Sequence, residues 1–482
     1  MELFQLSALQ LGAAIRAGEV SIPEVTRAAL EAAGQDTYNC FITLTPEQAM
    51  RRAEGLQSQL HQAESPLYGV PMAFKDNICT RGIETSCGSR ILNRFIPVYD
   101  AAVVDQLAHA GTVCIGKTNM DEFAMGSTGE TSCFGPVTNP WNDKHSPGGS
   151  SSGSAASVAA GLVPFALGSD TGGSVRQPAA HCGLTGIKPT YGTVSRYGLV
   201  AYASSLDQIG PLCKDAADCA AVLDVIRAHD RRDATSLPGT HSFLLEQLTG
   251  DLQGVKVGIP TEWFEAGLDD EVRRAVLSVA GVLRERGAVV EECSLPVLSY
   301  AVPAYYVLAC AEASSNLARY DGVKYGHRAE EYESLTDLYH KTRTEGFGSE
   351  VKRRILLGTF VLSAGYYDPY YKKALDVKAL MHNTFASVFE RYDLLLAPVA
   401  PTTAPKLGTS LSDPLQMYLS DAYTVSANLA GLPALSMPCG FDTNGLPVGA
   451  QLIGPRLGEG TILNAAHAFQ LETDFHKRRC RA

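Results

Sequence analysis

The segment from Pro147 to Gly192 constrains this chain more than any other, because it carries ten glycines and four prolines. Such a run first suggests a flexible linker. Its internal order argues otherwise. Gly148-Gly149-Ser150-Ser151-Ser152-Gly153-Ser154 opens it, a small-residue helix is expected from Ser154 to about Leu162, and Gly168-Ser169-Asp170-Thr171-Gly172-Gly173-Ser174-Val175-Arg176 follows. A linker has no use for a helix, an apolar strand and fixed Asp and Arg residues. Glycine lets backbone N–H groups approach a ligand closely, so the segment reads as a site. The most apolar stretch, Ala155 to Leu167, lies here too; broken by Ser157, Gly161 and Pro164, it is too short to cross a bilayer and reads as a buried helix.

Around this segment strands and helices alternate. Ser7 and the Ser21-Ile22-Pro23-Glu24 capping box predict two helices within 7–34, and 46–63 continues as a polar helix. Gly69 to Asn77 is an apolar strand ending in a polar corner, 99–110 a helix, and Thr112 to Ile115 a short strand. Further on, 255–260, 289–295, 394–398 and 434–437 read as strands, and 269–286, 300–320 and 350–392 as helices. This alternation predicts an α/β fold, a sheet covered by helices on both faces. No repeat or low-complexity linker divides the chain, so 1–482 is expected to be one domain with a catalytic core at about 65–215.

Composition narrows the function. Charged residues are 19% and hydrophobic residues 45%, which excludes disorder for the bulk of the chain. Forty basic against 51 acidic residues leave a net charge of −11, no field for gripping a phosphate backbone. If nucleic acid is involved, another chain is expected to hold it. The basic cluster His476-Lys477-Arg478-Arg479 reads as a solvated tail. Twelve scattered cysteines without a CxxC pair fit a reducing cytosol, and the first residues, Met-Glu-Leu-Phe-Gln, lack the pattern of a secretion signal. A cytoplasmic protein with no membrane role is expected.

Two short motifs are set aside. Gly111 to Thr118 matches the phosphate-loop pattern GxxxxGK[ST], but a helix precedes it and its inner residues, Thr-Val-Cys-Ile, favour a strand. Ser349-Glu350-Val351-Lys352 matches SxxK within a charged helix, where an exposed serine is expected. A nucleophile elbow is not expected, HExxH does not occur and the eleven histidines do not cluster, so no metal site is expected. His181, near the glycine-rich block, is assigned to packing.

What remains is serine chemistry. A serine hydroxyl is a poor nucleophile until a neighbour takes its proton. Without a suitable histidine, a neutral lysine can do this if desolvation lowers its pKa from about 10.4. Lys75, in the polar corner Ala73-Phe74-Lys75-Asp76, is the candidate.

The two glycine–serine motifs and the lysine corner, in this order, resemble the amidase signature family over nearly the whole chain. The resemblance implies a mixed β-sheet sandwiched between layers of α-helices and a Ser–cis-Ser–Lys triad. Carried over by motif, Ser174 is the nucleophile, Ser150 the bridging serine and Lys75 the base. The N–H groups of Thr171, Gly172, Gly173 and Ser174 would form the oxyanion hole. Ser152 departs from the pattern, since many members have glycine there.

Within that family the chain is most similar to glutaminase subunits of tRNA-dependent amidotransferases. The shared motifs are Met120-Asp121-Glu122-Phe123-Ala124-Met125-Gly126, Lys352-Arg353-Arg354-Ile355, and Asp421 ahead of Asn428 to Pro433. This resemblance implies that Arg354 holds a glutamine carboxylate, Asp421 its ammonium, and Tyr305 lines the pocket. It also implies ammonia delivered to a partner subunit that uses ATP and magnesium on misacylated tRNA, with Glu-tRNA(Gln), Asp-tRNA(Asn) or both as acceptor. The heterotrimer would comprise this chain with subunits B and C, and this chain itself would need no cofactor. Two alternatives stand beside it: a free-standing amidase for another small or lipid amide, which would need neither Arg354 nor Asp421, and a nucleotide-binding scaffold resting on the phosphate-loop match.

Overall fold

The computed structural model describes residues 5–239, 242–265, 267–409 and 413–480, so part of the N-terminal stretch read for a secretion signal lies outside them. Eleven strands form one sheet. In chain order they are β1 (Phe41–Leu44), β2 (Pro71–Lys75), β3 (Val113–Thr118), β4 (Phe165–Asp170), β5 (Thr185–Lys188) and β6 (Gln208–Cys213). The second half supplies β7 (Lys256–Pro260), β8 (Val289–Cys293), β9 (Leu394–Pro398), β10 (Ala434–Phe441) and β11 (Pro447–Ile453). Their order across the sheet is β1-β3-β2-β4-β6-β5-β10-β11-β9-β7-β8. β2 runs parallel to β3 and β4, and β7 parallel to β8 and β9, while the middle of the sheet is antiparallel. The expected mixed sheet is therefore present.

Alternation along the strands defines its two faces. Leu394 and Leu396 of β9, with Leu435 and Met437 of β10, belong to one core shared with the helices Asp270–Glu285 and Glu459–Glu472. Leu395, Ala397 and Ala434 belong to the other, shared with the helices Ala301–Asn316 and Lys373–Val388. Helices thus cover both faces. The first two helices, Ala8–Arg16 and Ile22–Gly34, begin where their signals predict: Ser7 pairs with Gln10, and Ser21 with Glu24, in complete capping boxes.

Several expectations need correction. Ala155–Leu167 is not one helix. The helix spans Ser152–Ala159, Gly161 turns the chain at φ +71°, and Phe165 already starts β4. The 350–392 helix is likewise broken: Ser349–Leu362 ends before a turn containing Gly365 at φ +88°, after which a π-helical segment, Tyr367–Lys372, leads into Lys373–Val388. The basic cluster at 476–479 is not a free tail. Arg478 sits over the Phe441 ring at 4.8 Å, and Arg479 donates to the His476 carbonyl at 2.7 Å. The phosphate-loop match is a strand: Lys117 is fully buried in β3 and ion-pairs with Asp76 at 3.3 Å. Among the described residues no helix is long and apolar enough to cross a membrane.

Candidate active site

Lys75 ends β2 and Ser169 lies near the end of the parallel strand β4, so the sheet itself brings them side by side. The Lys75 Nζ reaches Ser150 Oγ at 2.7 Å, Ser151 Oγ at 3.0 Å and Ser169 Oγ at 3.0 Å. Asn77 donates to the same Ser169 hydroxyl at 2.9 Å. Burial pushes the Lys75 ammonium down to about 7, against the opposing pull of Asp121, Asp170 and Asp207. A substantial neutral fraction at physiological pH follows.

Ser150 sits on the loop before the helix Ser152–Ala159, and the Gly149–Ser150 peptide bond is cis. Gly149 N–H donates to Gln177 Oε1 at 3.0 Å, and the Ser150 carbonyl accepts from Asp121 N–H at 3.2 Å. A side chain on Gly149 would collide with the Asp121 carboxylate, which explains glycine there. Gly149 to Gly153 also spells GxSxG, with Ser151 at its centre. Ser151 is fully buried and donates to the Ser169 carbonyl at 3.1 Å, so it ties the loop to β4 rather than facing a substrate. Ser152 is accommodated because its side chain packs against Gly129, whose φ is +72°.

Asp170 and Arg176 hold the second loop. Two nearly parallel bonds join them, Nε to Oδ2 and Nη2 to Oδ1, both 3.0 Å and both groups fully buried. Burial alone would raise the Asp170 carboxyl, but the Arg176 guanidinium holds it well below the usual carboxylate range. Arg176 Nη1 also donates to the Thr424 carbonyl and Nη2 to Asn428 Oδ1, fastening the loop to the 421–431 segment. Gly173 has φ +133° and abuts Thr424, a position only glycine fills without strain. Gly173 N–H, expected to serve the oxyanion hole, donates here to Asp170 Oδ1 at 2.8 Å. Thr171 is anchored through its hydroxyl, which donates to Asp207 Oδ1 at 2.7 Å. Ser174 joins the first loop by its carbonyl, which accepts from Ser151 N–H at 3.2 Å. It is 8% exposed where Lys75 and Ser150 are 0%, the outermost of the three.

Arg354 and Asp421 come from distant elements yet converge. Arg354, on the helix Ser349–Leu362, donates from Nε to Glu350 Oε1 at 2.8 Å and from Nη1 to the Tyr202 hydroxyl at 2.7 Å. The rings of Tyr202, Tyr306 and Tyr418 surround its guanidinium at 5.2 to 5.7 Å. Asp421 accepts from Ser127 Oγ at 2.9 Å and from the Tyr306 hydroxyl at 2.7 Å. Burial pushes its carboxyl up to about 6, against those two bonds and Arg354. Tyr305 packs on Gly172, so the aromatic group touches the serine loop directly. Sequence reasoning missed Ser127, Asn77, Ser169, Tyr202, Tyr306, Glu350 and Tyr418. Of these, Asn77, Ser169 and Glu350 lay inside segments already marked.

A cavity of about 470 Å³ opens beside this group, lined by Ser127, Gln177, His181 and Ser420 among others. His181 is buried in its wall and desolvation pushes its imidazole down to about 4, so it is neutral at physiological pH. Among the described residues no three His, Cys, Asp or Glu side chains are grouped as metal ligands. The arrangement offers a buried, partly neutral amine among three serine hydroxyls, and a cation and an anion that meet at Tyr306.

A sequence model of the Amidase family matches residues 24–463. The A-subunit of glutamyl-tRNA(Gln) amidotransferase from Agathobacter rectalis is 57% identical over 474 residues, covering 98% of this chain and 94% of that protein. The protein of the same description from Lachnospira eligens is 56% identical, with 98% of each chain covered. The crystal structure of the corresponding glutamyl-tRNA(Gln) amidotransferase A-subunit from Thermotoga maritima superposes with a TM-score of 0.81 at 39% identity, covering 100% of this chain and 99% of that one. With a matching fold, this extent of similarity and the serine–lysine arrangement described above, the chain belongs to the amidase (amidase-signature) family.

Proposed function

We propose that this chain is the glutaminase subunit of a tRNA-dependent amidotransferase: it hydrolyses glutamine and supplies ammonia for converting Glu-tRNA(Gln) to the amidated aminoacyl-tRNA. The observation that carries the reading is the buried Lys75 Nζ, 2.7 Å from Ser150 Oγ, together with a cation, Arg354, and an anion, Asp421, that meet at Tyr306.

Neutral Lys75 takes a proton from Ser150 as Ser150 takes one from Ser174. The Ser174 oxygen then attacks the side-chain carbonyl of glutamine. The Thr171 and Gly172 N–H groups hold the negative oxygen, with Gly173 setting the loop's shape instead of donating. Lys75 returns its proton through Ser150 to the departing nitrogen, the C–N bond breaks, and ammonia leaves. Water then cleaves the γ-glutamyl ester on Ser174 and releases glutamate. Arg354 takes the substrate carboxylate, Asp421 its ammonium, and Tyr305 walls the pocket against Gly172.

The chain acts as one unit. Strands from its 65–215 core and from 255–453 share a single sheet, and Arg176 bonds across that division to Asn428. It works in the cytoplasm with subunits B and C, the partner using ATP and magnesium and holding the misacylated tRNA. The net charge of −11 suits a subunit that leaves tRNA to its partner. Acid quenching during turnover of glutamine, followed by mass spectrometry of the peptides, tests the chemistry. A γ-glutamyl ester on Ser174 is expected; ammonia release with the ester on another residue overturns the assignment.

A further inference from the structure

Arg354 and Asp421 carry opposite charges around one side chain, Tyr306, and nothing in their sequence positions keeps them at a useful spacing. Left alone, two such groups in a low-dielectric site attract each other strongly. Among the described residues Arg354 nevertheless ion-pairs with Glu350 rather than with Asp421. One side chain touches both poles. The Tyr306 ring lies 5.2 Å from the Arg354 guanidinium carbon, and its hydroxyl donates to Asp421 Oδ2 at 2.7 Å.

That ring is itself held on two sides. Tyr305 meets it edge-on at 5.0 Å, and Tyr418 lies against it at 4.2 Å. The Tyr418 hydroxyl donates to Glu350 Oε1 at 2.9 Å, the same oxygen that accepts from Arg354 Nε. The contacts form a closed ring, Tyr306 to Tyr418 to Glu350 to Arg354 and back to the face of Tyr306, with Asp421 hung on the Tyr306 hydroxyl. Ser127 occupies the other oxygen of Asp421. Each of Tyr306, Tyr418, Glu350 and Arg354 touches at least two others of the four, and Asp421, outside the ring, is held by Tyr306 and Ser127, so the distance between cation and anion is set by packing and not by their attraction.

We infer that Tyr306 is a specificity-determining positioning residue: by bonding Asp421 and flanking Arg354 it sets the spacing of the two charges, so that the site selects amides carrying both an α-ammonium and an α-carboxylate. This rests on the glutamine pocket proposed above. Tyr306 does not touch the reacting carbonyl. Its effect is on discrimination, and the hydroxyl is the part that matters.

The test compares glutamine with glutaramate, the same amide without its α-amino group, using the full chain co-expressed with its partner subunits. Tyr306→Phe keeps the ring and removes the hydroxyl. Its kcat/KM for glutamine should fall about tenfold through KM, as expected for one lost bond to a charged group, while the value for glutaramate stays unchanged. Ser127→Ala, which strips the other oxygen of Asp421, is the independent second variant and should act in the same direction. Equal losses on both substrates, or no loss on either, overturn the inference. A wild-type enzyme that does not prefer glutamine to glutaramate overturns the Asp421 assignment itself, and this inference with it.

Discussion

Lys75 and Ser150 stand 75 residues apart in the chain, yet their side chains meet at 2.7 Å in a fully buried site. With burial holding Lys75 near 7, it must be neutral to accept a proton, so kcat/KM should rise with pH through about 7 and level off above. Lys75→Arg should abolish turnover although it preserves charge, because guanidinium stays protonated. A pH–rate profile of wild type and the activity of the variant check both; an active Lys75→Arg enzyme contradicts the base assignment.

The same lysine should cost stability. It is largely neutral when folded above about 7 but protonated when unfolded up to about 10.5, so the unfolded chain binds the extra proton in that window. Stability contributed through this group therefore rises with pH from about 7 to 10.5, by at most about 1.4 kcal/mol per pH unit. Lys75→Met should flatten that rise. Urea unfolding at pH 7, 8 and 9 on both proteins measures it.

Asp170→Asn should destabilise the fold by about 3 kcal/mol, since it leaves the Arg176 guanidinium buried without its counter-charge. It also weakens the bond that holds Gly173. Chemical denaturation reads the first effect and loss of kcat the second.

Gly173→Ala forces a β-carbon into a φ of +133° and against Thr424. The serine loop must shift, and kcat should fall about 100-fold with KM little changed. Steady-state kinetics on glutamine separate the two constants.

Arg354→Ala should lower kcat/KM for glutamine by about 100-fold and leave turnover of a simple uncharged amide intact. Equal loss on both would make Arg354 structural. Assays on the two amides in parallel decide it.

Local signals were the most readable. Ser7 and Ser21 announce their helices because a capping box is complete within four residues. Strands β5, β6 and β11 carried no such mark: each holds a glycine or proline and exists through its neighbours in the sheet. The break after Leu362 escaped notice because its apolar residues continue a helical pattern on both sides of Gly365. In the site, Lys75, Ser150 and Ser174 lay inside motifs, whereas Tyr202 and Tyr418, and Tyr306 next to the marked Tyr305, meet around Arg354 only through packing between segments distant in the chain. The sequence could place Gly173 in a loop of amide donors but not foresee that Asp170, three residues earlier, takes its N–H.

The most direct test is ammonia release from glutamine by this chain assembled with subunits B and C, with Ser174→Ala as control and charged Glu-tRNA(Gln) and ATP added or withheld. Release that requires Ser174 and rises with charged tRNA and ATP is the expected result. Ser174-dependent cleavage of simple amides, indifferent to glutamine and to the partners, would contradict the account and mark the chain as a free-standing amidase.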